Sequence, residues 1–247
     1  MKDKVAVVTG SSRGIGAAIA KALARQGAKV AVNYVANRAK GQKVVDEIVA
    51  AGGRAILVRA DATVRAEAEA MVRGVEAELG PVDILVNNAS IGFPVVPFAG
   101  YAWEDFERKV NGEAKANFFT CQAVIPGMIQ RRGGCIVNVS STLSRFPGPG
   151  FVAHSSAKSG LDGFSKALAL ELGPHGIRVN VVAPGLTLTD ATRDQPAQFH
   201  EAVAAHTPLR RLAEPEDIAG AVAFLCSSAA RHVTGVYLPV CGGAHMI

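Results

Sequence analysis

Residues 5–16 read VAVVTGSSRGIG, and this stretch decides the fold. Its apolar, β-branched beginning predicts a buried strand, and the glycines that follow allow a tight turn. An alanine-rich amphipathic segment then predicts a helix over residues 14–26. Such a turn brings the backbone close to a ligand, and the helix N-terminus offers free N–H groups to an anion. The stretch therefore predicts a strand–turn–helix unit that binds a phosphate group.

The rest of the chain repeats this alternation of strands and helices. Besides the first strand (5–9), we predict strands at 29–34, 54–60, 83–88, 135–140, 177–183 and 236–240. Besides the first helix, we predict helices at 38–51, 63–79, 103–130, 151–172 and 215–228. Strands that are apolar on both faces and separated by helices are typical of a parallel sheet. We expect one α/β domain over residues 1–247, with a Rossmann-type, doubly wound sheet of seven strands.

Length, composition and charge limit the class of protein. The 247 residues are 49% hydrophobic and 19% charged, which suits one large α/β domain. No apolar run reaches the roughly 18 residues of a membrane span, and no leader peptide is evident, so we expect a cytoplasmic protein. The net charge of +5 comes from scattered basic residues, so neither a nucleic acid nor a membrane is an expected partner. The four cysteines form no CxxC pair, and no metal site is expected.

Residues 186–210 break the regular alternation. They have no clear helix or strand period, and Pro196 and Pro208 interrupt them. A segment this long without secondary structure is more often functional than a spacer. We therefore expect it to form a lid over the substrate.

Several motifs follow one another in a familiar order. The TGxxxGxG spacing ends at Gly16, Asp61 follows the third strand, and Asn87-Asn88-Ala89 ends the fourth, with Ser90 where a glycine is usual. The later motifs are Pro184-Gly185-Leu186-Thr187-Leu188-Thr189 and Thr234-Gly235 through Gly242-Gly243, with Cys241 replacing an aspartate. Together, over nearly the whole chain, they resemble the short-chain dehydrogenase/reductase family, and within it the 3-oxoacyl-acyl-carrier-protein reductases.

The resemblance implies a nicotinamide dinucleotide cofactor and a small-molecule substrate. The cofactor site would consist of Gly10, Ser12, Arg13, Gly14, Ile15, Gly16, Asn33, Arg38, Asp61, Asn88, Ala89, Lys158, Pro184, Gly185, Thr187 and Thr189. It also implies a homotetramer that pairs through the helices at 103–130 and 151–172 and through the last strand.

The charge near the second strand favours NADP(H) over NAD(H). NAD sites place a carboxylate at the end of that strand to hold the ribose 2′-hydroxyl. This chain has Asn33-Tyr34 there, with Arg13 in the glycine turn and Arg38 just beyond the strand. Arginines would hold a 2′-phosphate that a carboxylate would repel. Alternatively, both arginines are solvated surface charges.

The catalytic positions depart from the family pattern. The family uses a tyrosine, a lysine four positions later, a serine thirteen positions before the tyrosine, and an asparagine on an earlier helix. Lys158 matches the lysine and Ser141 the serine, but His154 stands at the tyrosine position and Glu113 at the asparagine position. Asn111 lies two residues too early to replace it on a helix. The resemblance thus implies a catalytic set of Glu113, Ser141, His154 and Lys158.

Three functions remain open for this set. A His154–Glu113 pair could supply the proton in carbonyl reduction, with Ser141 binding the oxygen. Alternatively, an iminium substrate would need no proton, and Glu113 would stabilise its positive charge. Thirdly, the protein could bind the cofactor without redox chemistry, as a non-redox enzyme or a pseudo-enzyme partner. An engineered tyrosine-to-histidine change would explain His154 but not Glu113. The nearby apolar residues suggest an apolar or aromatic substrate: Phe93, Pro94, Phe146 and Phe151.

Overall fold

A computed structural model describes residues 1–190 and 192–246 and contains one seven-stranded parallel sheet. The strands are β1 (Val5–Val8), β2 (Lys29–Tyr34), β3 (Arg54–Arg59), β4 (Val82–Asn87), β5 (Gly134–Val139), β6 (Ile177–Pro184) and β7 (Tyr237–Val240). Their order across the sheet is β3-β2-β1-β4-β5-β6-β7. The predicted Rossmann-type, doubly wound α/β fold is confirmed, and each strand lies within one residue of its predicted bounds.

Seven α-helices connect and cover the strands in the described part of the chain. They are α1 (Gly14–Arg25), α2 (Arg38–Ala50), α3 (Arg65–Leu79), α4 (Trp103–Arg131), α5 (Val152–Leu172), α6 (Ala197–His206) and α7 (Pro215–Cys226). Six of them were predicted, with ends that agree to within two residues. None of the described helices is long and apolar enough to cross a membrane.

Helix α6 was not predicted, and it lies inside the segment expected to be irregular. It starts directly after Pro196, whose fixed φ suits the start of a helix. None of its residues is fully buried. A helix without a buried face has no need of the apolar period on which the prediction relied. The prediction that residues 186–210 lack regular structure is therefore wrong for Ala197–His206.

Two apolar layers hold the helices on the two faces of the sheet. One layer combines Ala6 and Val8 of β1 with the buried sides of α1, α2 and α7. The other combines Val5 and Val7 with those of α3, α4 and α5. Alternate residues of one strand thus serve opposite faces, as a sheet covered on both sides requires.

The strand order reverses between β1 and β4. From β1 the chain proceeds outward through β2 and β3, then returns to β4 on the other side of β1. The loops at the carboxyl ends of these two strands therefore diverge and leave a crevice between them. In open α/β sheets this crevice is where ligands bind.

Candidate functional site

A cleft of about 700 Å³ lies at this reversal point. Most of the predicted site residues line it: Gly10, Ser12, Arg13, Gly14, Ile15, Gly16, Asn33, Asp61, Asn88, Ala89, Ser141, His154, Lys158, Pro184, Gly185 and Thr189. The structure therefore joins the glycine turn and the predicted catalytic residues in one continuous space. Three predicted residues, Arg38, Glu113 and Thr187, do not line it.

The turn before α1 packs closely against the end of β4 because Gly10 and Gly16 lack side chains. A Cβ on Gly16 would lie 2.4 Å from Asn88 Nδ2 and 2.6 Å from the Gly10 carbonyl oxygen. Gly10 has a φ of +61°, which favours glycine. Asn88 Nδ2 donates a hydrogen bond to the Thr9 carbonyl at 2.9 Å, which fastens the turn to the end of β4. This tight backbone at the start of α1 fits a pyrophosphate.

The second strand ends in a buried amide that the protein itself uses. Asn33 Oδ1 accepts a hydrogen bond from the Gly10 N–H at 2.9 Å, and its Nδ2 donates to the Ala60 carbonyl at 2.9 Å. Asn33 therefore lines the cleft but chiefly holds the glycine turn in place. Asp61 is likewise engaged locally, since its Oδ1 accepts from the Thr63 N–H and hydroxyl.

Positive charge at this end comes from Arg13 and Lys40, not from Arg38. Helix α2 begins at Arg38, and a residue two positions later lies about 200° further round the helix. Lys40 consequently lines the cleft, whereas Arg38 is exposed elsewhere. Lys40 Nζ pairs with Asp190 Oδ2 at 2.9 Å across the cleft. Arg38 does not line the cleft, so its place in the cofactor site stays a prediction, and Lys40 is a second candidate for the same role.

Thr187 also has another role. It is buried, its hydroxyl donates to the Gly185 carbonyl at 3.0 Å, and it pairs with Ala213 as an isolated bridge. These contacts fix the start of the segment after β6. The cleft wall is instead formed there by Pro184, Gly185 and Thr189.

The other end of the cleft is lined by Ser141, in the loop after β5, and by His154 and Lys158, on α5. Ser141 Oγ accepts a hydrogen bond from the Leu143 N–H at 3.2 Å. Lys158 Nζ donates to the Val139 carbonyl at 2.9 Å and to Glu113 Oε2 at 2.8 Å. Lys158 is buried and borders the cleft, so it is the cation that this end of the cleft presents.

Glu113 lies behind Lys158 in a buried polar cluster. Its Oε1 accepts hydrogen bonds from Lys109 Nζ at 2.6 Å and from Ser90 Oγ at 2.6 Å. The side chains of Lys109 and Glu113 are 0% and 1% exposed. Burial alone would raise the pKa of Glu113, but Lys158 and Lys109 outweigh it and hold that pKa well below its usual range. Glu113 is thus an anion held between two cations.

His154 is neutral in this environment. Its ring stacks on that of Phe93, with centroids 4.7 Å apart. Burial, with Lys158 and Lys109 adding to it, lowers the pKa of His154 to about 3, and the opposing attraction of Glu113 is too weak to prevent this. Its Nδ1 has no hydrogen-bond partner among residues 1–190 and 192–246.

The predicted His154–Glu113 pair is therefore wrong. The hydrogen bonds recorded for the Glu113 carboxylate involve Lys109, Lys158, Ser90 and the Ile91 N–H. Because two lysines already surround this carboxylate, it cannot also raise the pKa of the imidazole into the neutral range. For the same reason it offers no free negative charge to an iminium substrate.

Three residues that bear on the site were missed from the sequence: Lys40, Ser90 and Lys109. Ser90 was noted only as a replacement for glycine, although it lines the cleft. Lys109 and Glu113 stand four positions apart on α4, a spacing that brings side chains together on a helix. That spacing was a usable signal, but such pairs are ordinarily exposed, and only the fold reveals the burial.

Comparisons with known proteins agree with this architecture. A family model described as enoyl-(acyl carrier protein) reductase matches residues 10–245. An uncharacterised oxidoreductase of Methylorubrum extorquens is 40% identical over 246 residues, which cover 98% of both chains. A 3-oxoacyl-[acyl-carrier-protein] reductase of Staphylococcus epidermidis is 37% identical over 99% of this chain and 100% of its own.

A third relative carries a different activity in its name. The L-rhamnose 1-dehydrogenase (NAD(P)(+)) of Azotobacter vinelandii is 39% identical over 98% of this chain and 96% of its own. Relatives that are about equally similar to this chain thus carry names with different substrates, so sequence identity alone does not assign a substrate to this protein. With the Rossmann sheet, the glycine turn and these full-length matches together, the chain belongs to the short-chain dehydrogenase/reductase family, in which it resembles the 3-oxoacyl-acyl-carrier-protein reductases.

Proposed function

We propose that this protein is an NADP(H)-dependent oxidoreductase that reduces the C=O or C=N bond of a small apolar or aromatic substrate. His154 would stand in place of the family tyrosine. The observation that carries the proposal is the single cleft that joins the glycine turn to Ser141, His154 and Lys158. One ligand can therefore extend from the phosphate-binding end to the catalytic end.

The charge at the ribose end supports NADP(H). Arg13 and Lys40 both line the cleft there, and β2 ends without a carboxylate. Asp190 also borders this region, but its charge is matched by Lys40. Its pKa is lowered by the hydrogen bond and charge of Lys40, with Arg13 and Arg193 contributing. A carboxylate held by such a cationic group indicates that the same group would attract a 2′-phosphate.

The protein's own residues would hold and orient the reactants. The glycine turn at the start of α1 would bind the pyrophosphate, and Lys158 would bind the nicotinamide ribose. When bound, the reduced cofactor supplies a hydride. Ser141, whose hydroxyl borders the cleft, would donate a hydrogen bond to the substrate atom that gains negative charge. His154, being neutral, would orient the substrate by hydrogen bonding and stacking and would not act as an imidazolium acid.

The surroundings of His154 support an apolar or aromatic substrate. Phe93 stacks on the imidazole, and Phe151 meets Phe93 edge-on with centroids 6.1 Å apart. Aromatic rings packed against the cleft-lining His154 favour a flat or apolar ligand beside it.

One observation favours the second candidate, a protein that binds the cofactor without reducing a substrate. His154, at the acid position, is stacked on Phe93 and its Nδ1 has no partner among the described residues. Burial lowers its pKa to about 3, so at neutral pH it offers only the very weakly acidic N–H of a neutral imidazole. A non-redox enzyme or a pseudo-enzyme partner would need no such proton. The cofactor cleft would be the same in both cases, so binding alone does not separate them.

The deciding experiment combines binding with turnover. Titration calorimetry would first give the dissociation constants of NADPH and NADH. NADPH oxidation would then be followed with a panel of ketones and cyclic imines from acid to alkaline pH. We expect tighter binding of NADPH and turnover of at least one class. NADPH binding with no turnover across the panel would favour the non-redox candidate.

We also propose a homotetramer that pairs through α4 and α5. An apolar groove of about 340 Å³ lies between these helices, with Phe118, Phe119 and Phe164 on its walls. A second copy of the same two helices would cover it and remove these rings from water. Light scattering after size exclusion would test this, and a monomeric mass would contradict it.

A further inference from the structure

Reduction of a carbonyl leaves an oxygen that needs a proton, and His154 is a poor source of one. With a pKa of about 3, its ring is neutral at physiological pH. The N–H of a neutral imidazole is a very weak acid, and His154 Nδ1 has no partner among the described residues that could resupply a proton. If carbonyl reduction takes place here, another group of this chain must supply the proton.

Ser90 borders the cleft, and its hydroxyl is hydrogen-bonded to the buried ammonium of Lys109. It borders the same space as His154 and Lys158. Its Oγ accepts a hydrogen bond from Lys109 Nζ at 2.9 Å and donates one to Glu113 Oε1 at 2.6 Å. Ser90 therefore links the substrate space to the ammonium of Lys109.

Lys109 is positioned by three acceptors. Its Nζ donates to Ser90 Oγ, to the Ile91 carbonyl at 2.7 Å and to Glu113 Oε1 at 2.6 Å. The Phe93 ring covers it, with its centroid 4.7 Å from Nζ. This arrangement holds one N–H of Lys109 on the Ser90 oxygen.

The charged groups around Lys109 make it a proton donor near neutral pH. Glu113 faces it from the same helix, while Lys158 and the imidazole of His154 face it from α5. Burial lowers the pKa of Lys109 to about 8, with Lys158 adding to the effect and Glu113 opposing it. An acid whose pKa is close to the working pH transfers protons most effectively.

We propose that Ser90, resupplied by Lys109, donates the proton to the substrate oxygen in place of the missing tyrosine; this rests on the proposed carbonyl reduction. The carbonyl carbon receives a hydride, with its two electrons, from the reduced nicotinamide, and the C=O π pair moves to oxygen. The Ser90 hydroxyl turns from Glu113 Oε1 to that oxygen and passes its proton to it while Lys109 Nζ passes one to Ser90 Oγ. No serine alkoxide forms, and Lys109 becomes a neutral amine. After product release, water in the cleft returns a proton to Lys109 through Ser90.

The test compares four variants with the wild-type enzyme on its best ketone. Ser90→Ala removes the hydroxyl, and Ser90→Thr keeps it. Lys109→Met removes the ammonium, and Lys166→Met is the control because Lys166 is an exposed lysine on α5. We expect Ser90→Ala to lower kcat by at least about 100-fold with little change in KM, and Ser90→Thr to recover most of it. Wild-type kcat should fall above about pH 8, and Lys109→Met should have a low kcat without that alkaline fall.

A second readout is independent of turnover. Lysine side-chain NMR of the cofactor-free protein should contain one resonance that titrates near pH 8, present in Lys166→Met and absent in Lys109→Met. NADPH binding would confirm that each variant is folded. Turnover that stays within about threefold of wild type in Ser90→Ala would overturn the relay but leave the reductase intact. NADPH binding without reduction of any carbonyl would overturn carbonyl reduction and the relay together.

Discussion

The two ends of the cleft are built in different ways. At the phosphate end the site is made by backbone, which packs so tightly at Gly10 and Gly16 that no side chain fits there. At the catalytic end it is made by side chains that depend on one another, with Glu113 placed between Lys109 and Lys158. A site built from backbone can be recognised from a short sequence motif. In a cluster of side chains the members depend on one another, so a change to one of them affects the others.

The largest effect is expected at the phosphate end. Gly16→Val would place side-chain atoms where a Cβ already lies 2.4 Å from Asn88 Nδ2. Because the neighbours are backbone and a hydrogen-bonded amide, they cannot move aside without opening the turn. We expect NADPH affinity to fall by about 1,000-fold or more, equivalent to about 4 kcal/mol. Calorimetry would measure it.

Gly74→Ala is the matched control. Gly74 lies in α3, and a Cβ there would meet nothing within 4 Å. The free energy of unfolding should rise by about 0.5–1 kcal/mol, since alanine is the better helix former, and NADPH affinity should stay unchanged. Wild-type affinity in Gly16→Val would mean that the turn does not bind the pyrophosphate.

The next effect concerns the buried cluster. Glu113→Gln leaves Lys109 and Lys158 buried without their anion, and breaking a buried ion pair costs about 3–5 kcal/mol. The free energy of unfolding in urea should fall by that amount. The double variant Lys109→Met/Glu113→Gln removes one cation together with the anion, so it should regain a large part of the loss. A double variant no more stable than Glu113→Gln would show that the two residues do not compensate each other.

These two effects also explain how much the sequence could predict. The parallel sheet and the glycine turn follow from local patterns, because strand periodicity and the need for glycine are properties of short segments. The cluster of Ser90, Glu113 and Lys158 comes from three separate segments, and its contacts exist only once α4 and α5 have packed. His154 was predicted to pair with Glu113 because Lys109 was not considered as a partner of the Glu113 carboxylate. Helix α6 was missed for lack of a buried face.

The catalytic end should also make the protein sensitive to acid. The pKa of His154 is about 3 in the folded protein and near 6.5 when unfolded. Between these values the unfolded chain binds the extra proton, so stability is lost as the pH falls below about 6.5. At about 1.4 kcal/mol per pH unit, this amounts to about 2 kcal/mol between pH 7 and pH 5.

His154→Phe keeps the stack on Phe93 and removes the titration. Its free energy of unfolding, measured in urea at each pH, should fall by about 2 kcal/mol less than that of wild type between pH 7 and pH 5. His232→Gln alters an exposed histidine and should follow the wild-type curve. Parallel curves for His154→Phe and wild type would mean that His154 has the same pKa in the folded and the unfolded protein.

The smallest effect distinguishes Arg38, the cation predicted from the sequence, from Lys40, the cation that lines the cleft in the structure. Lys40→Ala should weaken NADPH binding by about 10-fold, the value of one charge-assisted contact of about 1.4 kcal/mol, and leave NADH binding unchanged. Arg38→Ala should alter neither, because Arg38 does not line the cleft. Asp190→Asn should strengthen NADPH binding, since it frees Lys40 from its partner. If instead Arg38→Ala weakened NADPH binding and Lys40→Ala did not, the 2′-phosphate would be held from the outer side of α2. The ribose end of the cleft would then depend on side chains that rearrange when the cofactor binds, unlike the glycine turn, which is fixed by its backbone.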